Sequence, residues 1–354
     1  MKYPVLLSAG EALSDMAAFD TVIDVRSESE FALDHVPGAI NCPVLHDDER
    51  VKVGTLYKQD SPFKAKKIGA AIVARNIASH LESRFSDHPK SWRPLVYCWR
   101  GGNRSGAMAH ILAKIGWPAV QLEGGYKAYR QHMVTQIDEM AGRYRFQVVC
   151  GTTGSGKSRL LGTLAAMGAQ VLDLEKLAAH RGSLLGGLPG EPQPTQKMFE
   201  SQIWQTLRQF NQERWVYVES ESKKIGNLRV PEKLMESMRA SACIRINISD
   251  ANRVQLLIED YPHLATDMAQ LMSQLEHLTP LHGRQKIDAW RALAELGDIS
   301  ALVEALLTQH YDPAYLKSIN RNFSGYHNAR AVNLQDISAD AFGSAAATLL
   351  SGVM

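Results

Sequence analysis

Two stretches of the chain combine residue types that could do chemistry. The first is Cys98, which ends the apolar run Leu95, Val96, Tyr97 and opens the loop Trp99, Arg100, Gly101, Gly102, Asn103, Arg104, Ser105. A strand that stops at a cysteine, followed by a glycine-containing loop and a helical pattern from Ala107 to Ile115, turns successive backbone N–H groups inward over the sulfur. Such a nest holds anions. Arg100 and Arg104 add fixed positive charge, so a thiolate at Cys98, or an oxyanion bound to it, would be stabilised there. The plainer reading is a packed core cysteine, but a core strand has no use for two arginines and two glycines directly after it.

The second stretch is Gly151, Thr152, Thr153, Gly154, Ser155, Gly156, Lys157, Ser158, which follows the buried-strand pattern Phe146 to Val149. This is the G-x-x-x-x-G-K-[ST] phosphate loop in its strand-then-helix context. Its backbone N–H groups and Lys157 would hold a diphosphate or triphosphate, and Ser158 would ligate a magnesium ion. Acids at nearby strand ends are where metal support or water positioning is needed. Asp173 ends the run Ala169 to Leu172 beside Glu175, and Glu219 ends Val216 to Val218 beside Glu221, so Asp173 and Glu219 are the candidates for acid or metal support. No Asn-Lys-x-Asp guanine-reading motif occurs, which argues against a GTPase.

These stretches need scaffolds. At 354 residues two domains are expected, and 45% hydrophobic with 21% charged residues is an ordinary globular composition. A net charge of +2 decides nothing about nucleic acid. The N-terminus lacks the apolar core of a secretory signal, and no stretch approaches the ~18 to 20 apolar residues of a membrane span. Four separated cysteines without a C-x-x-C pair point to reduced thiols in the cytoplasm and to no zinc site.

The first domain reads as α/β, with strands at Thr21 to Val25 and Ala39 to Val44; Cys42 in the latter is expected to be a packed residue with no basic group beside it. The insertion from Arg50 to Arg93 is basic, and Lys64, Lys66 and Lys67 are either a solvated face or nucleic-acid contacts, as are Lys223, Lys224 and Arg229 further on. A helical connector is expected over 127–144, with Cys150 a packed strand end just before the phosphate loop. A fourth strand of the second domain runs Cys243 to Ile248. Amphipathic helices follow from Leu264 to Leu307, with Leu271, Leu275, Leu278 and Trp290, Leu293, Leu296 on their apolar faces. The tail His310 to Lys317 suits a helix end better than a base-stacking surface.

The order Asp24-Val25-Arg26, Glu30-Phe31, His35 to Asn41, the Cys98 loop and Leu122 to Tyr126 resembles the signature of a rhodanese domain covering about residues 1–137. Five residues separate Cys98 from Arg104, one more than in single-domain rhodaneses, which widens the cradle toward that of the Cys-x5-Arg phosphatases. A rhodanese-like domain followed by a phosphate-loop domain over 145–354, with a helical subdomain around 264–320, resembles the tRNA 2-selenouridine synthase family nearly end to end. His180-Arg181-Gly182-Ser183 and Glu219 to Gly226 resemble that family too.

The resemblance implies an α/β fold with a parallel-sheet, P-loop NTPase-like second domain. It also implies replacement of sulfur by selenium at the wobble 2-thiouridine of tRNA, with selenophosphate as donor and an S-geranyl intermediate made from geranyl diphosphate. Cys98 in its cradle would receive selenium as a perselenide or help hold the donor. The partners implied are thiolated tRNA and a selenophosphate supplier. The residues alone leave other readings open: a sulfurtransferase fused to a small-molecule kinase, a Cys-x5-Arg phosphatase, or a non-catalytic tRNA-binding protein.

Overall fold

Short runs rich in β-branched and aromatic residues become the strands of two separate sheets in the computed structural model, which describes residues 3–182, 186–187, 190–260 and 268–352. The chain forms two units, one of Met1–Gln136 with Thr195–Gln205 and one of Ile137–Pro194 with Thr206–Met354.

In the first unit the strands are β1 (Val5–Leu7), β2 (Thr21–Asp24), β3 (Ile40–Asn41), β4 (Pro94–Tyr97) and β5 (Val120–Leu122), all parallel, in the order β1-β5-β4-β2-β3. β4, whose end carries Cys98, is buried along its whole length, as expected of a parallel sheet covered on both faces. The helix Asn103–Ile115 lays Met108, Ala109, Leu112 and Ala113 against Ile23 and Val96 of the sheet. β3 is shorter than the expected Ala39 to Val44 because Pro43 has no N–H with which to extend the ladder. The basic insertion folds into helices Asp47–Gln59 and Pro62–His80, the second started by Pro62 and capped by Ser61, which accepts from the Lys64 N–H.

The interior of this unit is polar at one place. Arg26, 1% exposed, meets the wholly buried Asp24 at 2.6 to 3.0 Å and also donates to the Asp34 carbonyl at 2.6 Å. The Asp34 carboxylate accepts from Tyr126 at 2.7 Å and from Ser201 at 2.8 Å, and Ser201 in turn accepts from Tyr129 at 2.8 Å. Trp204 Nε1 donates to Gln136 at 2.7 Å. These bonds explain why residues 195–205, placed by sequence order in the second domain, belong to the first unit.

The second unit contains β6 (Arg145–Cys150), β7 (Gln170–Leu172), β8 (Trp215–Glu219), β9 (Lys224–Ile225), β10 (Leu228–Arg229), β11 (Ala242–Asn247) and β12 (Gly325–Asn333). The main sheet is parallel, in the order β12-β11-β6-β8-β7, and β9 and β10 form a small antiparallel pair. Leu160, Leu161 and Leu164 of helix Lys157–Ala166 share a core with Phe342, Ala345, Ala346 and Leu349 of helix Ala339–Ser351. A separate cluster of Leu271, Leu275, Leu278, Ile287, Trp290, Leu302 and Leu306 forms the core of the helical part, whose expected start at Leu264 lies outside the described residues. Leu296, expected on an apolar face, is 81% exposed because helix Arg284–Glu295 ends there, before Gly297 at φ 73°.

Removing one partner of a buried ion pair strands the other charge in a low-dielectric interior. Asp24→Ala is therefore expected to cost about 3–5 kcal/mol of stability, read from urea denaturation. A loss under about 1 kcal/mol would show that Arg26 is satisfied without Asp24.

Candidate functional site

Each unit carries one of the two chemical stretches at the end of a central strand. At the end of β4 the Cys98 carbonyl accepts from the Tyr126 N–H at 2.7 Å. A Cβ on Gly125 would stand 2.4 Å from that carbonyl, so the close approach requires glycine at φ 56°. Gly102, at φ 73°, is the N-cap of helix Asn103–Ile115. Cys98 is 3% exposed, and its Sγ accepts from Ser105 Oγ at 3.3 Å. Gln121 steadies the loop from β5, donating to Gly102 O and Ser105 Oγ at 3.1 Å each. Its place came from no motif, since only the strand order sets β5 beside β4.

The two arginines of the loop part company. Arg104 donates to Glu30 at 2.9 Å, and Arg50 reaches the same carboxylate at 3.1 Å. Burial works against the Glu30 charge, yet Arg104 and Arg50 hold its carboxyl below the usual range. Arg104 thus ties the loop to helix Glu28–Leu33 as well as adding charge, while Arg100 stands exposed. Cys42 is packed as expected, with its thiol pushed up by burial. A basic group does accompany it: Arg84 of the insertion donates to its sulfur at 3.7 Å.

In the second unit β6 delivers the phosphate loop. Gly154 and Gly156 adopt φ 77° and 84°, and a Cβ on Gly156 would stand 2.5 Å from Phe342. Lys157 Nζ donates to Gly151 O at 2.9 Å. Arg253, 4% exposed, holds the Thr153 carbonyl through two bonds of 2.9 and 3.0 Å while paired with Asp312. Tyr315 accepts from the Gly151 N–H at 2.8 Å and lies 3.0 Å from Ser220 Oγ. The segment read as a helix end is therefore the start of helix Asp312–Asn322, and it packs a tyrosine on the loop. The loop residues Thr153 to Ser158, with Ser220 and Tyr315, line a cavity of about 670 Å³ whose other wall includes Leu257, Tyr311, Ile319 and Phe323.

The acids gather as the strand ends suggested, with roles the sequence could not rank. Asp173 caps a helix by accepting from the Lys176 N–H at 2.8 Å. Glu175 accepts from Ser158 Oγ at 2.8 Å, and its own N–H donates to Glu219 at 2.7 Å. Glu219 is wholly buried, its second oxygen has no partner, and burial with Asp173, Glu175 and Glu221 around it pushes its carboxyl well up. Burial and then Glu175 push Glu221 up to about 8. Gly182, at φ 68°, approaches both: its Cβ would stand 2.8 Å from Glu221 and 2.9 Å from Glu175. The neighbouring Ser183 lies outside the described residues.

Oxygen donors short of positive charge suit a hard cation. Among the described residues no group of three or more His, Cys, Asp and Glu is arranged to hold a metal by itself. A magnesium ion beside Ser158 and Glu175 would therefore complete its shell with water and phosphate oxygens, as that ion commonly does.

Of the cations proposed for nucleic acid, Lys64 pairs with Asp60 at 2.6 Å and Lys67 lies 5.0 Å from the Phe63 ring centre, in helix Pro62–His80 with Lys66. Lys223 pairs with Glu232 at 3.0 Å, and Lys224 and Arg229 face each other across the β9–β10 pair. All four cysteines are free thiols, and among the described residues no helix is long and apolar enough to cross a membrane.

Comparison with known proteins covers both units. The sequence profile of the tRNA 2-selenouridine synthase AAA domain matches residues 144–284, and that of the rhodanese-like domain matches residues 8–132. A Nitrosomonas europaea protein named tRNA 2-selenouridine synthase is 36% identical over 267 residues, covering 73% of this chain and 68% of that protein. One of the same name from Nitrosomonas eutropha is 32% identical over 338 residues, covering 93% and 81%. A rhodanese-related protein of Thermoplasma volcanium, known from its crystal structure, aligns over 37% of this chain and 93% of its own at 21% identity and a TM-score of 0.25.

The acid cluster has a pH signature. Glu221 ordinarily loses its proton near 4.5 but keeps it in the fold to about 8. Between those values the unfolded chain has released a proton that the folded chain retains, so this group makes stability fall as pH rises through that window and adds no pH dependence outside it. Glu221→Gln is expected to remove that fall, so that urea midpoints at pH 5 and pH 8 converge relative to the parent protein. An undiminished fall in the variant would show that Glu221 is ionised in the fold.

Proposed function

The chain belongs to the tRNA 2-selenouridine synthase family, and on that premise we propose that it converts the wobble 2-thiouridine of tRNA to 2-selenouridine with selenophosphate, by way of an S-geranyl intermediate made from geranyl diphosphate. The observation that carries this reading is the presence, in one chain, of a buried thiol at a strand end that Ser105 of the following loop contacts and of a complete phosphate loop, each in its own unit.

A 2-thiocarbonyl sulfur leaves poorly until it is alkylated, so two displacements replace one hard step. In the first, the base sulfur bonds to C1 of the geranyl group as the C1–O bond breaks, and the base loses its N3 proton. Charge develops on the departing diphosphate, which the loop N–H groups and Lys157 would stabilise. Ser158 and Glu175 are the residues that would hold a magnesium ion, whose charge would assist that departure.

In the second, selenide attacks C2 and geranylthiolate leaves. Forming a perselenide on Cys98 would oxidise selenium, and the reaction supplies no oxidant. We therefore read Cys98 as taking the phosphoryl group. An S–P bond forms as the P–Se bond breaks, hydroselenide departs toward C2, and water later releases phosphate. The five-residue span from Cys98 to Arg104 suits a tetrahedral phosphoryl group, and Ser105 is placed to donate to Sγ as it leaves. Lys64, Lys66, Lys67, Lys223, Lys224 and Arg229 are proposed to contact the tRNA backbone.

Mass spectrometry of tRNA nucleosides from cells with and without the protein tests the reading as a whole; unchanged 2-selenouridine would overturn it. Lys157→Ala is expected to lower geranylation by on the order of a hundredfold or more, while tRNA supplied already geranylated is still selenated. Equal failure on that substrate would move the phosphate loop to the selenium step. Cys98→Ser is expected to abolish selenation and spare geranylation, with a phosphoryl adduct on Cys98 detectable after acid quench of the parent enzyme with selenophosphate. A folded variant that loses both activities would end the division of labour.

A further inference from the structure

Directly after Cys98 stands Trp99, a large aromatic side chain left 40% exposed at the mouth of the cradle. Its backbone is pinned on both sides: the Tyr126 N–H donates to Cys98 O at 2.7 Å and the Lys127 N–H to Trp99 O at 3.0 Å. Its indole is stacked on Tyr126, with ring centres 5.3 Å apart at 24°, and among the described residues Tyr126 is the one ring stacked on it.

The stack continues inward. The Arg26 guanidinium lies 4.0 Å from the Tyr126 ring centre, Tyr126 is tied to Asp34 at 2.7 Å, and Arg26 is held by Asp24. A guanidinium, a tyrosine and a tryptophan thus form a ladder rooted in the interior, with its last rung partly open to solvent beside the candidate nucleophile. Isolated exposed apolar residues need no explanation, but a rigidly supported indole directly after the candidate nucleophile has a use.

We propose that Trp99 is a stacking platform for a nucleobase, the pyrimidine whose C2 is to be substituted; this rests on the tRNA reading above. The partner face must be flat, aromatic and tolerant of a polar edge, which describes an unstacked base of a single-stranded RNA loop. Because the indole is already ordered by its underside contact, little conformational freedom remains to be lost on binding. The exposed Arg100, next to Trp99 in the chain, suits a flanking phosphate, and Trp99 directly follows Cys98 at the end of β4.

The test uses the full-length protein and two anticodon stem-loops, one with 2-thiouridine at the wobble position and one abasic there, with dissociation constants from fluorescence anisotropy. The parent protein is expected to bind the base-bearing loop about tenfold more tightly than the abasic one. Trp99→Ala should bind both loops alike, at the abasic affinity, and Trp99→Phe should recover most of the preference. A Trp99→Ala protein that keeps the tenfold preference would overturn the proposal. Trp99→Leu, which keeps apolar bulk over Tyr126, decides the matter in the same way if the alanine variant does not fold. A parent protein that binds the thiolated loop tightly but treats the abasic loop equally overturns the platform alone; one that binds neither loop overturns the tRNA reading with it.

Discussion

The first unit depends on one buried ion pair. Arg26 and Asp24 are taken almost wholly out of water, a loss that burial alone would make prohibitive for the guanidinium, and Asp24 holds the charge in place. The pair sits at the end of β2, the strand beside β4, so it lies next to the strand that presents the thiol. Arg26 binds the Asp34 carbonyl, Asp34 binds Tyr126, and the Tyr126 N–H binds the Cys98 carbonyl. Asn41 closes the far side by donating to the carbonyls of Asp24 and Arg26 at 3.1 and 2.9 Å. Since each group here is paired, and all but the half-buried Asn41 are buried, a change in one leaves another unsatisfied, and the position of the loop is over-determined.

The second unit solves a different electrostatic problem. Its phosphate loop is held by side chains that occupy its backbone groups: Arg253 donates to the Thr153 carbonyl and Tyr315 accepts from the Gly151 N–H. Beside it stand carboxylates in each other's field, and they respond by holding protons, as Glu221 does to about 8. Crowding these carboxylates is costly to the folded protein, and Lys157 offsets only part of that cost at Glu221. Carboxyl groups perturbed in this way by burial and like charge are common at functional sites.

The sequence by itself determined the parts of this protein whose logic is local. A phosphate loop is eight consecutive residues between a strand and a helix, and the thiol cradle is a strand end, two glycines and a helix start, so spacing alone identifies both. The α/β class followed from the same pattern, and the ordered motifs were enough to carry the family resemblance, which implied the parallel sheet. What only the tertiary structure decided depends on partners far apart in the chain. Arg104 meets Glu30 across 74 positions, Tyr315 meets Gly151 across 164, and Ser201 meets Asp34 across 167, which sends residues 195–205 to the first unit. β12, a mostly polar and exposed run outside the strands expected from the sequence, has its hydrogen bonds supplied by β11. The ranking of the acids belongs here too, because which carboxylate keeps its proton depends on burial and on like charges nearby in space, and neither quantity is written in the order of residues.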